Sequence, residues 1–169
     1  MQETCKIHTM PTDTDLDAID RRILRVLQAQ GRITYDELAA QVSLSPSATL
    51  RRVKRLEDGG VIAGYAAQLR PERVGLGLAA YVSVRIEKQT DRQPRNPKEL
   101  FGAAVQGWPE VLECVALSGE VDFLLRVQVA DMAQYSRFIS ETLLAHPTVL
   151  DCRSSFVLDH VKRSSVLAL

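Results

Sequence analysis

The sequence predicts an α+β protein built from two domains, and three observations carry that prediction. Three short segments with helical spacing and helix start and stop signals crowd into residues 15–62. A polar break, Arg70-Pro71-Glu72-Arg73, follows them. From residue 77 onward, strand-like and helix-like runs alternate in the order β-α-β-β-α-β, the ferredoxin-like split arrangement. The expected organisation is a tail at 1–14, a helical domain at 15–62, a β linker or hinge at 63–76 and a ferredoxin-like domain at 77–169. With 46% hydrophobic residues, the chain has ample material for packed cores.

The first helix is read from Leu16, Ile19, Ile23, Val26 and Leu27 at helical spacing. Asp13, Asp15 and Asp17 lie near its positive end, and Gly31 stands where a C-terminal cap belongs. The second opens at Thr34, with Glu37 three residues on as a capping box, and buries Leu38, Ala39 and Val42. Ser43, Leu44 and Ser45 make a tight turn. Ser45 as N-cap and Pro46 as first helical residue start the third helix, which Gly59-Gly60 ends. The stretch after Gly60 through residue 75 reads as one or two short β segments.

In the second domain, "LAAYVSVRIEK", "EVLECVALSG", "DFLLRVQVA" and "VLDCRSSFVLDHVK" read as strands. "PKELFGAAVQGW" and "MAQYSRFISETLLAHP" read as helices, the latter with Tyr135, Phe138, Ile139, Leu143 and Leu144 on its apolar side.

Lys+Arg and Asp+Glu both total 21, so an electrostatic function has to come from local clustering. No apolar run has membrane-spanning length and the N-terminus lacks a signal-peptide stretch, which predicts a cytoplasmic protein with no membrane partner. Cys5, Cys114 and Cys152, like His8, His146 and His160, are scattered without ligand spacing, so neither a metal nor another cofactor is expected. No P-loop, G-x-S-x-G or H-E-x-x-H occurs, and no enzyme is predicted. Gly75, Gly77 and Ala80 mimic a dinucleotide fingerprint but lead into a strand rather than a helix.

The local cluster is in the third helix. Arg51, Arg52, Lys54 and Arg55 follow one another with no acid before Glu57. At about 100° per residue, Leu50, Val53 and Leu56 form one stripe, with Arg51 and Arg55 opposite it and Arg52 and Lys54 flanking. A solvated face mixes signs, whereas like charges at this density call for an anionic partner. Ser45, Ser47 and Thr49 at the helix start join the four cations as candidate DNA contacts, small enough for close approach to base edges. The competing readings are a basic helix that docks an acidic protein and a small-molecule-binding oligomer without a DNA role.

Taken together, "LDAIDRRIL" from Leu16, "LSPSATLRRVKRLEDGGVIAGYAAQL" from Leu44 and "VALSGEVDFLLRV" from Val115 resemble the Lrp/AsnC, or feast/famine, transcription regulators over nearly the whole chain. The resemblance implies a winged helix-turn-helix joined by a β linker to an effector-binding, oligomerising ferredoxin-like domain. It further implies double-stranded DNA with a near-palindromic operator as partner, an amino-acid effector, and homo-oligomers from dimers upward. Ser43 stands where the family usually has a turn glycine, and Ala48-Thr49 replaces a commoner Pro-Cys pair.

The family's effector motif is a G-x-x-D, matched here by Gly119 and Asp122 in "LSGEVDF". Glycine opens backbone N–H groups to a carboxylate, and the aspartate offers a partner to an α-ammonium. Ser118, Gly119, Glu120 and Asp122 are therefore the candidate effector residues, with Ser154 and Ser155 on the last strand as further ones. The alternative is an ordinary hairpin turn.

Overall fold

The computed structural model describes residues 16–88 and 96–169. The tail with Cys5, His8, Asp13 and Asp15, and most of the polar loop after the first strand, lie outside the described residues. The chain forms two compact units, one reaching to Ala67 and including Lys162–Leu169, the other Gln68–Val161.

Three helices build the first unit: α1 Ala18–Ala29, α2 Tyr35–Val42 and α3 Pro46–Asp58. Each N-terminus is closed by its own side chains. Asp17 and Asp20 form a reciprocal capping box on α1, Thr34 and Glu37 form another on α2, and Ser45 accepts from the Ala48 N–H with Pro46 behind it. These side chains satisfy N–H groups that the helix itself leaves unpaired. Gln30 caps the end of α1, and Gly31 keeps an ordinary backbone rather than the left-handed one expected of a capping glycine. At the end of α3, Gly60 does turn left-handed (φ 70°), and the Val61 N–H returns to the Leu56 carbonyl at 2.9 Å. Ile23, Leu24, Leu38, Val42, Val53 and Leu56 are the core where the three helices meet.

Two expectations about the chain's organisation are corrected. The expected β linker at 63–76 contains no strand: its first part follows no regular structure, and Pro71–Val74 is a single 3-10 turn. A strand needs a ladder partner for its N–H and C=O groups, and none of the described residues supplies one here. The last residues leave the second domain and join the helical unit. There Leu169 packs against its core, and the Gln28 side chain exchanges bonds of 3.2 and 2.6 Å with the backbone of Leu167.

In the second unit, β1 Leu78–Ile86, α4 Pro97–Val105, β2 Val111–Ala116, β3 Phe123–Val129, α5 Met132–Arg137 and β4 Val149–Phe156 follow the expected β-α-β-β-α-β order. The sheet runs β2-β3-β1-β4 with every pairing antiparallel. Strand alternation sends Ala80, Val82, Val84 and Ile86 of β1, and Leu125, Val127 and Val129 of β3, toward Phe101 and Val105 of α4 and toward Tyr135, Phe138 and Leu143. Both helices cover this one face. After α5 the chain continues as a π-helical stretch, Phe138–Leu143. The wider turn rephases the apolar side: Phe138 and Leu143, five apart, are buried, while Leu144, expected in the core, is 47% exposed.

Candidate nucleic-acid interface and effector hairpin

The α2–α3 connection is Ser43-Leu44-Ser45, and Ser43 takes the left-handed conformation (φ 59°, ψ 45°), the only non-glycine with positive φ among the described residues. The turn sets α3 across α2, with Thr49, Val53 and Leu56 as its buried stripe. Two expected orientations are thereby corrected. Leu50, placed by the sequence pattern on the anchoring side, is 46% exposed. Thr49, placed among the DNA contacts, is fully buried with its hydroxyl donating to the Ser45 carbonyl at 3.0 Å. One turn below, that carbonyl is a ready acceptor, so threonine fills a core position without an unpaired hydroxyl.

Rotating the stripe from Leu50 to Thr49 redistributes the cations. Counting about 100° per residue, Arg52 and Arg55 share one flank, while Ser47, Arg51 and Lys54 lie on the other side. On the first flank runs the start of α1. Arg52 Nη1 donates to Asp17 Oδ2 at 2.6 Å and to Asp20 Oδ1 at 2.9 Å, and Arg55 Nη2 donates to Asp20 Oδ2 at 2.5 Å. Arg52 is thus not a free edge cation and Arg55 is not the centre of an unpaired face, as the local sequence pattern implied. Hydrogen bonds to Asp17 and then Asp20 hold the Arg52 guanidinium above its ordinary pKa. The Asp20 N–H, and after it Arg52, hold the Asp17 carboxyl below the usual carboxylate range.

Ser47, Arg51 and Lys54 are exposed, and neither cation has a carboxylate within ion-pair distance among the described residues. The Ser45 hydroxyl serves the helix cap and sits 3.2 Å from Ser47 Oγ. Asp20 was absent from the sequence reading. The signal for it is an acid three residues before buried Ile23, on the apolar arc of α1, where only a paired carboxylate is tolerated.

The hairpin between β2 and β3 is closed by the Leu117 N–H on the Asp122 carbonyl at 2.9 Å. Gly119 adopts φ 134°, and a Cβ added there would meet no atom within 4 Å, so its constraint is backbone conformation rather than crowding. Ser118, Gly119 and Glu120 are exposed at the tip. Asp122 is anchored: its N–H donates to the Val84 carbonyl, its Oδ2 accepts from the Ile86 N–H, each at 3.0 Å, and Lys98 Nζ of α4 lies 3.0 Å from Oδ1. Burial pushes the Asp122 carboxyl upward, but the Ile86 amide and Lys98 outweigh it and hold it below its ordinary value. Lys98 is a partner that the sequence reading missed.

Ser154 and Ser155 do not converge. Ser154 faces the helices and is hydrogen-bonded by the Tyr135 hydroxyl, while Ser155 pairs with Tyr81 and points to the open face. Phe156 packs on Tyr135 with ring centroids 4.9 Å apart. Of the named effector residues, Glu120 lines an open cavity of about 350 Å³, alongside Ser83, Arg85, Val121, Asp151 and Arg153.

The family model described as the Lrp/AsnC ligand binding domain matches residues 79–167, and a winged helix-turn-helix DNA-binding model matches residues 16–63. The chain is 43% identical over 155 residues to the leucine-responsive regulatory protein of Salmonella typhimurium, with 92% of each chain covered. The chain belongs to the Lrp/AsnC family. It is a DNA-binding transcriptional regulator carrying an amino-acid ligand-binding domain. Among solved Lrp/AsnC structures, a Neisseria meningitidis transcriptional regulator in complex with L-Met superposes with a TM-score of 0.85 at 49% identity, covering 90% of this chain and 96% of that one. An AsnC family regulator from Agrobacterium tumefaciens gives 0.81 at 34% identity, with 90% and 96% covered. No described helix of this Lrp/AsnC chain is long and apolar enough to cross a membrane.

Proposed function

We propose that α3 is the DNA-reading helix, with Ser47, Arg51 and Lys54 as its direct contacts, and that the Ser118–Asp122 hairpin receives the effector. The observation that carries the DNA half is the pair of exposed cations, without a carboxylate partner among the described residues, on the side of α3 away from Thr49, Val53 and Leu56. Arg51 suits guanine or phosphate, and Lys54 suits phosphate as a point charge. For the effector half, an α-ammonium would replace Lys98 on Asp122, since a half-exposed lysine contributes little by staying. The carboxylate would lie over the backbone at Gly119. The L-Met complex of the Neisseria meningitidis regulator favours an apolar, thioether-sized side chain. The protein would act in the cytoplasm as a binder without catalysis, assembled from copies of itself through the uncovered sheet face.

One experiment addresses both halves. Duplexes are enriched by the wild-type protein from a random-sequence pool, then titrated with and without L-Met. Arg51→Ala is expected to weaken binding to the enriched duplex about tenfold or more, the scale of one good base or phosphate contact. L-Met is expected to shift the wild-type affinity and to leave a Gly119→Val protein unmoved. Unchanged affinity for Arg51→Ala overturns the α3 assignment, and a full L-Met response in Gly119→Val overturns the hairpin assignment.

A further inference from the structure

We propose that Asp20, backed by Asp17, is an internal stand-in for a DNA phosphate: it occupies the guanidiniums of Arg52 and Arg55, leaving α3 two cations for the duplex instead of four. The inference rests on the reading of α3 as the DNA-facing helix. Both Asp20 oxygens are taken, Oδ1 by Arg52 at 2.9 Å and Oδ2 by Arg55 at 2.5 Å, and Oδ2 is also 3.2 Å from the Asp17 N–H. Its side chain is entirely buried, while those of Arg52 and Arg55 remain 26% and 59% exposed. The two arginines therefore keep solvent-facing surface, and their guanidiniums are held by a carboxylate.

A buried ion pair is poor evidence of a stability device, because a well-packed apolar group commonly serves as well or better. Its physical consequence here is electrostatic. Sequence-independent affinity scales with the phosphates a protein neutralises, each adding about −0.9 to the slope of log K against log salt. Withholding two arginines lowers binding to every sequence alike. Base-reading contacts from Ser47 and Arg51 are untouched, so overall affinity and its salt dependence fall while the ratio of specific to non-specific binding is kept. Asp20 is in this sense a residue that sets affinity and salt dependence and never touches DNA.

The test is the salt dependence of binding by the full chain to a random-sequence duplex and to an enriched one. Arg51→Gln and Lys54→Gln are each expected to flatten the slope by about 0.9 per engaged domain, whereas Arg52→Gln and Arg55→Gln leave it unchanged. Asp20→Asn is expected to steepen the slope and raise affinity for the random and the enriched duplex alike. A residue that served only as a structural anchor would lower the melting temperature and weaken both duplexes together. Should Asp20→Asn not fold, the arginine variants decide: a slope flattened by Arg52→Gln or Arg55→Gln as much as by Arg51→Gln overturns the proposal. If Arg51→Gln and Lys54→Gln also leave the slope unchanged, it is the DNA-facing assignment of α3 that fails.

Discussion

Ser43 holds a left-handed conformation with no glycine to make it cheap. A β-carbon in that region crowds the following carbonyl, at about 1 kcal/mol or more for an L-residue. Glycine relieves the clash while giving up some unfolded-state restriction, so Ser43→Gly is expected to raise stability by about 1 kcal/mol. A urea titration followed by circular dichroism checks it, and an unchanged or lower midpoint contradicts it. The strain was legible only through the family resemblance, which puts a turn glycine where this chain has Ser43. The roles of Asp20 and Lys98 were not: each is defined by a partner on another element, 32 and 24 residues away in sequence, and no local pattern registers such a pair.

At the scale of elements, caps are the most dependable feature, because donor and acceptor lie three residues apart. The capping boxes at Asp17 and Thr34 are of this kind. They also carry a pH dependence. The backbone and hydroxyl of Thr34 hold the Glu37 carboxyl below its ordinary value, as the Asp20 amide and Arg52 do for Asp17. A carboxyl depressed in the folded state stabilises fully above its unfolded pKa, about 4, and that stability is lost as pH falls through the lower folded value. The helical unit is therefore expected to lose melting temperature below about pH 4, and Glu37→Gln to show a shallower loss. Thermal melts across that range decide it, an equal loss in the variant counting against the cap. Helix phase was less legible. Leu50 and Leu144 both looked like core positions; the first lost its place to Thr49, whose hydroxyl finds a backbone acceptor, the second to a wider π turn.

Among the described residues of the second unit, both helices cover the same face of its sheet. On the other, Tyr81 of β1 and Val115 of β2 are 40% and 38% exposed, among the ion pairs Arg85–Asp151 and Arg126–Glu113. A two-layer domain leaves such a face uncovered until another layer closes it. A second copy of the chain is the expected cover, and Tyr81→Asp is expected to shift the sedimentation coefficient toward the monomer while the circular dichroism spectrum is kept. An assembly unaltered by the buried charge excludes this face as the interface.

The sequence by itself determined the three helices, the caps of the second and third, the β-α-β-β-α-β order, the cation cluster and the glycine-aspartate hairpin. Each rests on interactions within a few residues or on a period of two or about 3.6. Only the tertiary structure decided which cations of α3 are paired with α1, which serine of β4 faces the helices, and what Asp122 already holds. Charges and hydroxyls act over the few ångströms to their nearest partner, and for a buried or half-buried group that partner is chosen by packing, not by proximity along the chain.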